Sequence, residues 1–192
     1  MKLIKLSLVA VFCATLFSSC SYNTMVEKQE TVTSQWGQVQ NVYQRRADLI
    51  PNLVNTVKGY TSHESQTLQA VTDARARATQ VTIDANNLTE EKLKEYRQAQ
   101  GELGTALGKL LAITENYPDL KANQNFLELQ SQLEGTENRI AVERKKFNDV
   151  VQDYNAYIRK FPQVIYAGWF GFSKKAYFEA DADAQKAPKV QF

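Results

Sequence analysis

Chemistry in this chain would have to come from very few residues. There is one histidine, His63, next to Glu64, and there are two cysteines, Cys13 and Cys20. A carboxylate-bridged di-metal site in a helical bundle uses Glu-x-x-His pairs from two helices. Here the residue three before His63 is Tyr60, and no second histidine exists. No His-Glu-x-x-His, Gly-x-Ser-x-Gly or phosphate-cradling glycine loop occurs. His63 is therefore expected on a solvated helix face. A metal-dependent enzyme or metal carrier built on His63 and nearby carboxylates is the alternative. No catalytic, cofactor-binding or metal-ligating set is assigned, no cofactor is expected, and the chain is read as a non-enzyme.

The charged residues on apolar stripes say more. Arg46 and Glu64 occupy seam positions of the first long helix, and Glu137, Arg139 and Arg144 lie in or beside the seam of the last. A buried charge without a partner is strongly unfavourable, so these groups are expected to pair across helices. Such pairs would fix the register of a bundle, or alternatively line a polar binding groove near Arg46 and Pro51. The run Arg144-Lys145-Lys146 spreads around a helix and is expected to be solvated. Near the C-terminus Trp169, Phe170 and Phe172 mix with Lys174 and Lys175, followed by Tyr177 and Phe178. This segment is expected either to dock on the bundle or to enter the membrane interface, where aromatic and lysine side chains are favoured.

The elements that must position these residues are long helices. From Val32 to Ala78 an alternating 4,3 spacing runs without a break through Val39, Arg46, Leu53, Tyr60, Thr67 and Ala74, and through Trp36, Tyr43, Ile50, Val57, Glu64 and Val71. Pro51 interrupts it by removing the hydrogen bond to the Ala47 carbonyl. Since the phase survives, the spacing predicts one helix kinked at Pro51, with a break at 48–51 as the alternative and Gly59 as a second weak point. Residues 84–88 are loop chemistry, and Thr89 should cap a second helix with Glu90 and Glu91 at its positive end. Its stripe is Leu93, Tyr96, Leu103, Leu107, Leu110 and Thr114, and it should stop near Tyr117, before Pro118. Gly101, Gly104 and Gly108 cost this helix propensity, for which close backbone packing is the expected return. A third helix is expected over about 122–161, with Phe126, Leu129, Leu133, Ile140, Phe147, Val150, Tyr154, Tyr157 and Phe161 as its stripe. Short connections make neighbouring helices antiparallel. The expected fold is all-α: an elongated antiparallel up–down bundle of three long helices, the first kinked or split at Pro51.

Composition agrees with that class. Of 192 residues 43% are hydrophobic, and only 8 are glycine and 4 proline, which disfavours a many-turned β protein. A net charge of +2 gives no reason to expect a nucleic-acid partner. Lys2 and Lys5 precede an apolar run from Leu6 to Phe17, shorter than the roughly 20 residues that span a bilayer. Ser18, Ser19 and Cys20 follow and resemble a lipobox, so residues 1–19 are expected to be a lipoprotein-type signal peptide with Cys20 lipidated; a plain signal or an uncleaved anchor is the alternative. Removing 1–19 leaves 21 basic against 21 acidic side chains and no free thiol. The domain plan is then a tether at 20–24, a helical bundle at 25–162, and an aromatic and basic segment with a frayed tail at 163–192.

Longer motifs add a resemblance. Tyr22-Asn23, the run from Gln44 to Val54 (QRRADLIPNLV), Thr56 to Tyr60, Ala99-Gln100-Gly101, Glu115 to Asn123 (ENYPDLKAN), Leu133 to Ala141 (LEGTENRIA), Tyr154-Asn155, Phe161-Pro162 and Gly171-Phe172 occur in an order that resembles LemA family proteins over about residues 22–178. The resemblance implies a membrane-attached four-helix bundle associated with cell-envelope homeostasis, sometimes alongside membrane metalloproteases or TPM-domain proteins, with no catalytic residues to carry over. Typical members have a longer uncleaved anchor, from which this chain departs at its short apolar run and Cys20. Together the readings imply a non-enzymatic, membrane-tethered scaffold or adaptor on the periplasmic face of a bacterial envelope. Its partners would be the membrane, unidentified envelope membrane proteins and a homo-oligomeric copy, with no nucleic acid. A lipid-reading surface protein using the aromatic and lysine tail is the runner-up.

Overall fold

The computed structural model describes the backbone of residues 2–61 and 64–178, and the side chains of 21–61 and 64–178. His63 and residues 179–192 lie outside this set, as does the side chain of Cys20. All regular structure among the described residues is helical: α1 (Lys2–Lys58), α2 (Ser65–Gln80), a 3-10 turn (Ala85–Asn87), α3 (Glu90–Thr114), α4 (Pro118–Lys121), α5 (Gln124–Arg159) and α6 (Gln163–Tyr166). The all-α bundle is as the spacing predicts. α1 packs along α5 and α2, and α2 packs along α3. The pairings are antiparallel, as shown by Lys28 with Asp153 and Arg46 with Glu137 between α1 and α5.

The chain does not break at Pro51. α1 runs through the proline as one helix and ends at Lys58; α2 begins at Ser65. Pro51 stays tolerable because its ring lies on the exposed face of α1 and the Ala47 carbonyl it deprives of a donor is met by Arg75 Nε of α2 at 2.7 Å. A buried carbonyl left unpaired would be costly, so a charged donor from the neighbouring helix replaces the missing amide. The turn is made instead where Gly59, Tyr60 and Thr61 close short bonds onto Thr56 and Val57, and where Tyr60 is exposed. The heptad phase continues across this reversal because phase counts residues and carries no information on chain direction.

Local signals place the other ends. Thr89 accepts from Lys92 N at the start of α3, and Asn123 accepts from Phe126 N at the start of α5. The α3 stripe is buried at every expected position from Leu93 to Thr114. On α5 the stripe drifts. Val151 and Ile158, beside the stripe, are buried, and Phe161 lies outside the bundle. The core is two apolar clusters along the rod. One surrounds Trp36, Tyr96, Phe147 and Tyr154, and the other Ile50, Leu53, Val71, Leu103, Leu110 and Phe126.

Residues 173–178 are not a loose tail. They run extended along α5, and two asparagines on one face of that helix grip them. Asn155 donates to Lys175 O at 2.9 Å and accepts from Lys175 N at 2.9 Å; Asn148 does the same with Phe178 O and N, both at 2.8 Å. The spacing closes because seven residues of helix rise about 10 Å, which three extended residues also cover. Each asparagine amide offers one donor and one acceptor, as a paired strand would. Tyr154 Oη donates to Ser173 O, and Ala176 N to Leu88 O. Trp36 indole N–H reaches Ile83 O at 3.0 Å, and its ring stacks with Phe178 at 5.9 Å between centroids.

Replacing Arg75 with methionine should cost about 1–3 kcal/mol in urea unfolding, because a buried carbonyl loses its only strong donor. In a Pro51→Ala background, where residue 51 regains an amide for the Ala47 carbonyl, the same replacement should cost measurably less. Strict additivity of the two changes would refute this role for Arg75.

Candidate functional site

One polar layer crosses the otherwise apolar seam. Arg46 sits on α1 between Tyr43 and Ile50 and is 4% exposed. Its Nη1 donates to Glu137 Oε1 of α5 at 2.7 Å. Its Nη2 donates to Gln100 of α3, at 2.7 Å to Oε1 and 3.0 Å to the main-chain oxygen. Gln100 Nε2 in turn donates to Ala78 O near the end of α2 at 3.0 Å. The guanidinium lies 5.2 Å from the Tyr43 ring centroid. A single cation thus links all four long helices. Its Nε, also buried, is left without a hydrogen bond. Glu137 keeps half of its side chain in water, so the pair is only partly removed from solvent.

Beside this layer a groove of about 380 Å³ opens between α3 and α5, lined by Arg46, Arg97, Gly101, Gly104, Glu137 and Arg144, among others. The glycines of α3 do not serve the close backbone packing that their cost in helix propensity led us to expect. A Cβ at Gly101 or Gly108 would meet nothing within 4 Å, and one at Gly104 would meet only Arg46 Nη1, at 4.0 Å. Their effect is to leave space, because α3 and α5 are not packed along one another as the other neighbours are.

The structure brings Arg46, Glu137 and Arg144 to this one place and separates the other singled-out residues. Arg144 also lies over the Phe178 ring at 5.1 Å. Arg139 points to solvent. Glu64 is at the far end of the rod, where it accepts from Tyr117 Oη at 3.2 Å. Pro51 is exposed and does not line the groove. No cluster of three or more His, Cys, Asp or Glu is placed to hold a metal among the described residues.

The C-terminal aromatic segment divides. Trp169, Phe170 and Lys174 are exposed, but Phe172 and Lys175 are buried against the bundle and are therefore not free to touch a membrane. Lys175 Nζ donates to the carbonyls of Ala85 (3.4 Å) and Asn86 (3.0 Å) in the 3-10 turn, the kind of helical terminus that favours a cation. Burial holds this ammonium below the usual lysine pKa, with Asp84 acting in the opposite direction.

Gln100 was legible and overlooked. It falls between Tyr96 and Leu103 at the 4,3 spacing of the α3 stripe, so a polar residue on the seam was visible beside Arg46. Asn148 and Asn155 had a weaker signal: two amides seven apart on a helix, meaningful only once an extended segment is known to lie across them.

The LemA family profile matches residues 35–192. The chain belongs to the LemA family. Magnetosome protein MamQ 2 of Paramagnetospirillum magneticum is 27% identical over 188 residues, covering 89% of this chain and 68% of that protein. Magnetosome protein MamQ of Magnetospirillum gryphiswaldense is 28% identical over 190 residues, covering 90% and 69%. Protein LemA of Metamycoplasma hominis is 22% identical over 139 residues, covering 72% and 60%. The stretch that makes this a LemA-family chain holds the whole Arg46 layer and both asparagine grips.

Arg46→Met should lower stability by about 2–4 kcal/mol, since it orphans the buried acceptors of Gln100 as well as breaking the ion pair. Glu137→Gln should cost about 1 kcal/mol or less, because that partner is half hydrated. A shift for Arg46→Met no larger than for Glu137→Gln, in urea unfolding, would show that the layer does not hold the bundle. Burial, reinforced by Tyr43 and opposed by Arg46, raises the Tyr96 phenol well above 10. A phenol harder to ionise when folded stabilises fully below the unfolded pKa near 10 and loses that contribution as pH rises further. The melting temperature should therefore fall more steeply above pH 10 in the wild type than in Tyr96→Phe.

Proposed function

We propose that this LemA-family chain is a non-enzymatic, membrane-tethered helical scaffold or adaptor of the bacterial cell envelope. It would receive a partner segment in the groove between α3 and α5. The observation that carries this reading is the glycines of α3. Glycine inside a helix costs about 1 kcal/mol relative to alanine, yet at Gly101, which lines the groove, a Cβ would meet nothing within 4 Å. A local rule broken without internal compensation marks a functional position more often than a structural one. Arg46 supports the floor of the groove and already has partners on α3 and α5, which suits a rigid docking surface better than a site of turnover.

Attachment follows from the N-terminal apolar run and Cys20. Lipidation of Cys20 would supply the anchor. The bundle would then stand outside the cytoplasm, on the periplasmic face. Residues 20–24, expected as a tether, belong to α1. Tyr22 already meets Phe170 and Phe172, and Met25 is fully buried. The rod therefore begins within two residues of the anchor, and its groove would be held at a set height.

Crosslinking in intact envelopes tests the scaffold role. The wild type should give discrete adducts with membrane proteins, and Gly101→Leu, whose Cβ would meet nothing within 4 Å and whose side chain would enter the groove, should lose them while melting at the same or a higher temperature. Recovery of monomer alone under every condition would sink the adaptor reading, and an unchanged set of adducts from Gly101→Leu would move the docking surface elsewhere.

A further inference from the structure

The largest apolar side chains that the bundle leaves in water gather at one end. Phe161 is 80% exposed and Trp169 81%, with Val164, Ile165 and Phe170 more than half exposed beside them. Folding could have buried these residues. The same segment buries Ala167, Phe172 and Phe178. Gly171, at φ +80, takes a left-handed turn that reverses the chain between exposed Phe170 and buried Phe172. The exposed set is what the packing of the described residues leaves in water. A contiguous apolar patch of this kind on a folded domain marks a surface that something covers.

Its place in the fold points to the cover. Tyr22 touches Phe170 edge-on at 5.2 Å and Phe172 at 5.7 Å between ring centroids. Tyr22 follows Cys20 by two helical residues, a rise of about 3 Å. The patch thus lies at the level where the chain would enter the lipid. Its charge fits as well. Residues 154–178 contain Arg159, Lys160, Lys174 and Lys175 and no aspartate or glutamate. Arg159, Lys160 and Lys174 are exposed around the patch. Aromatic rings with cations at their edge suit the interface of a bilayer bearing anionic headgroups.

We infer that Phe161, Val164, Ile165, Trp169 and Phe170 form a second membrane contact, an apolar wedge seated in the lipid interface beside the N-terminal anchor. This inference rests on the membrane attachment proposed above and adds what the attachment does. Two adjacent points of contact fix the tilt of the rod, where one lipid tether would let it swing. Arg46, 26 residues along α1 from Cys20, is then held roughly 40 Å from the bilayer at 1.5 Å per residue.

The test uses the full chain reconstituted in vesicles of phosphatidylcholine and phosphatidylglycerol, with lipids brominated high on the acyl chain as quenchers. The only other tryptophan, Trp36, is buried in the core, so Trp169→Phe isolates the signal. Expected is quenching of wild-type emission that Trp169→Phe abolishes. Val164→Glu with Ile165→Glu should cut it by about threefold or more, at an unchanged melting temperature, since a charge is disfavoured in lipid. Co-sedimentation reports attachment separately. A chain that sediments with vesicles while Trp169 is untouched by brominated lipid overturns the wedge and leaves attachment standing. A chain that does not sediment overturns both. Trp169 emission that shifts to the blue with protein density, insensitive to brominated lipid, would show a second copy covering the patch and would equally refute the wedge.

Discussion

A guanidinium taken out of water must find acceptors, and in this protein that need organises the bundle. Arg46 is buried on the central helix and can be satisfied only when α3 brings Gln100 and α5 brings Glu137 to one level. Gln100 carries the constraint on to α2 through the Ala78 carbonyl. Apolar seams tolerate sliding by a heptad, because one leucine layer resembles the next. A single polar layer does not, since slipping would bury an unpaired charge. The register of four helices follows from one residue, as does the position of the groove that opens beside it.

The same logic recurs wherever backbone groups would otherwise be orphaned. Pro51 removes a donor and Arg75 supplies one. The 3-10 turn after α2 ends in carbonyls that Lys175 meets, and the extended segment after α6 has no sheet to join, so Asn148 and Asn155 take the part of a neighbouring strand. In each case a long or forked polar side chain reaches across an interface to complete main-chain hydrogen bonding. These contacts tie the C-terminal segment to the α2–α3 connection and to Trp36, so the N-terminal end of α1 is held by polar stitching around an aromatic cluster. What that end leaves uncovered is apolar and basic, whereas the groove further along is lined by arginines and glycine backbone. The two surfaces differ in chemistry and lie at different levels of the bundle.

Helix boundaries set by caps were legible in the residues themselves. Thr89, Asn123 and Pro118 act within a turn of where they stand, and their effect needs no knowledge of the rest of the chain. The burial of Arg46 was legible too, from its place on a stripe. The site of chain reversal was not. Pro51 is a strong local signal that a distant arginine neutralises, and the six residues after Lys58 carry weaker signals that an unbroken heptad phase concealed. The glycines of α3 misled for a related reason: their local cost is certain, but whether the space they leave is filled by a helix or by nothing depends on how α3 and α5 are spaced.

Periodicity and composition by themselves determined an all-helical rod, its apolar faces and its short connections, because each of these depends on neighbours a few residues away along the chain. The tertiary structure alone decided which aromatic residues near the C-terminus are core and which are surface. Phe172 and Trp169 are three residues apart and similar in chemistry. Only the path of the chain across α5, gripped by two asparagines more than ten residues upstream and reversed at Gly171, places one under the bundle and the other in solvent.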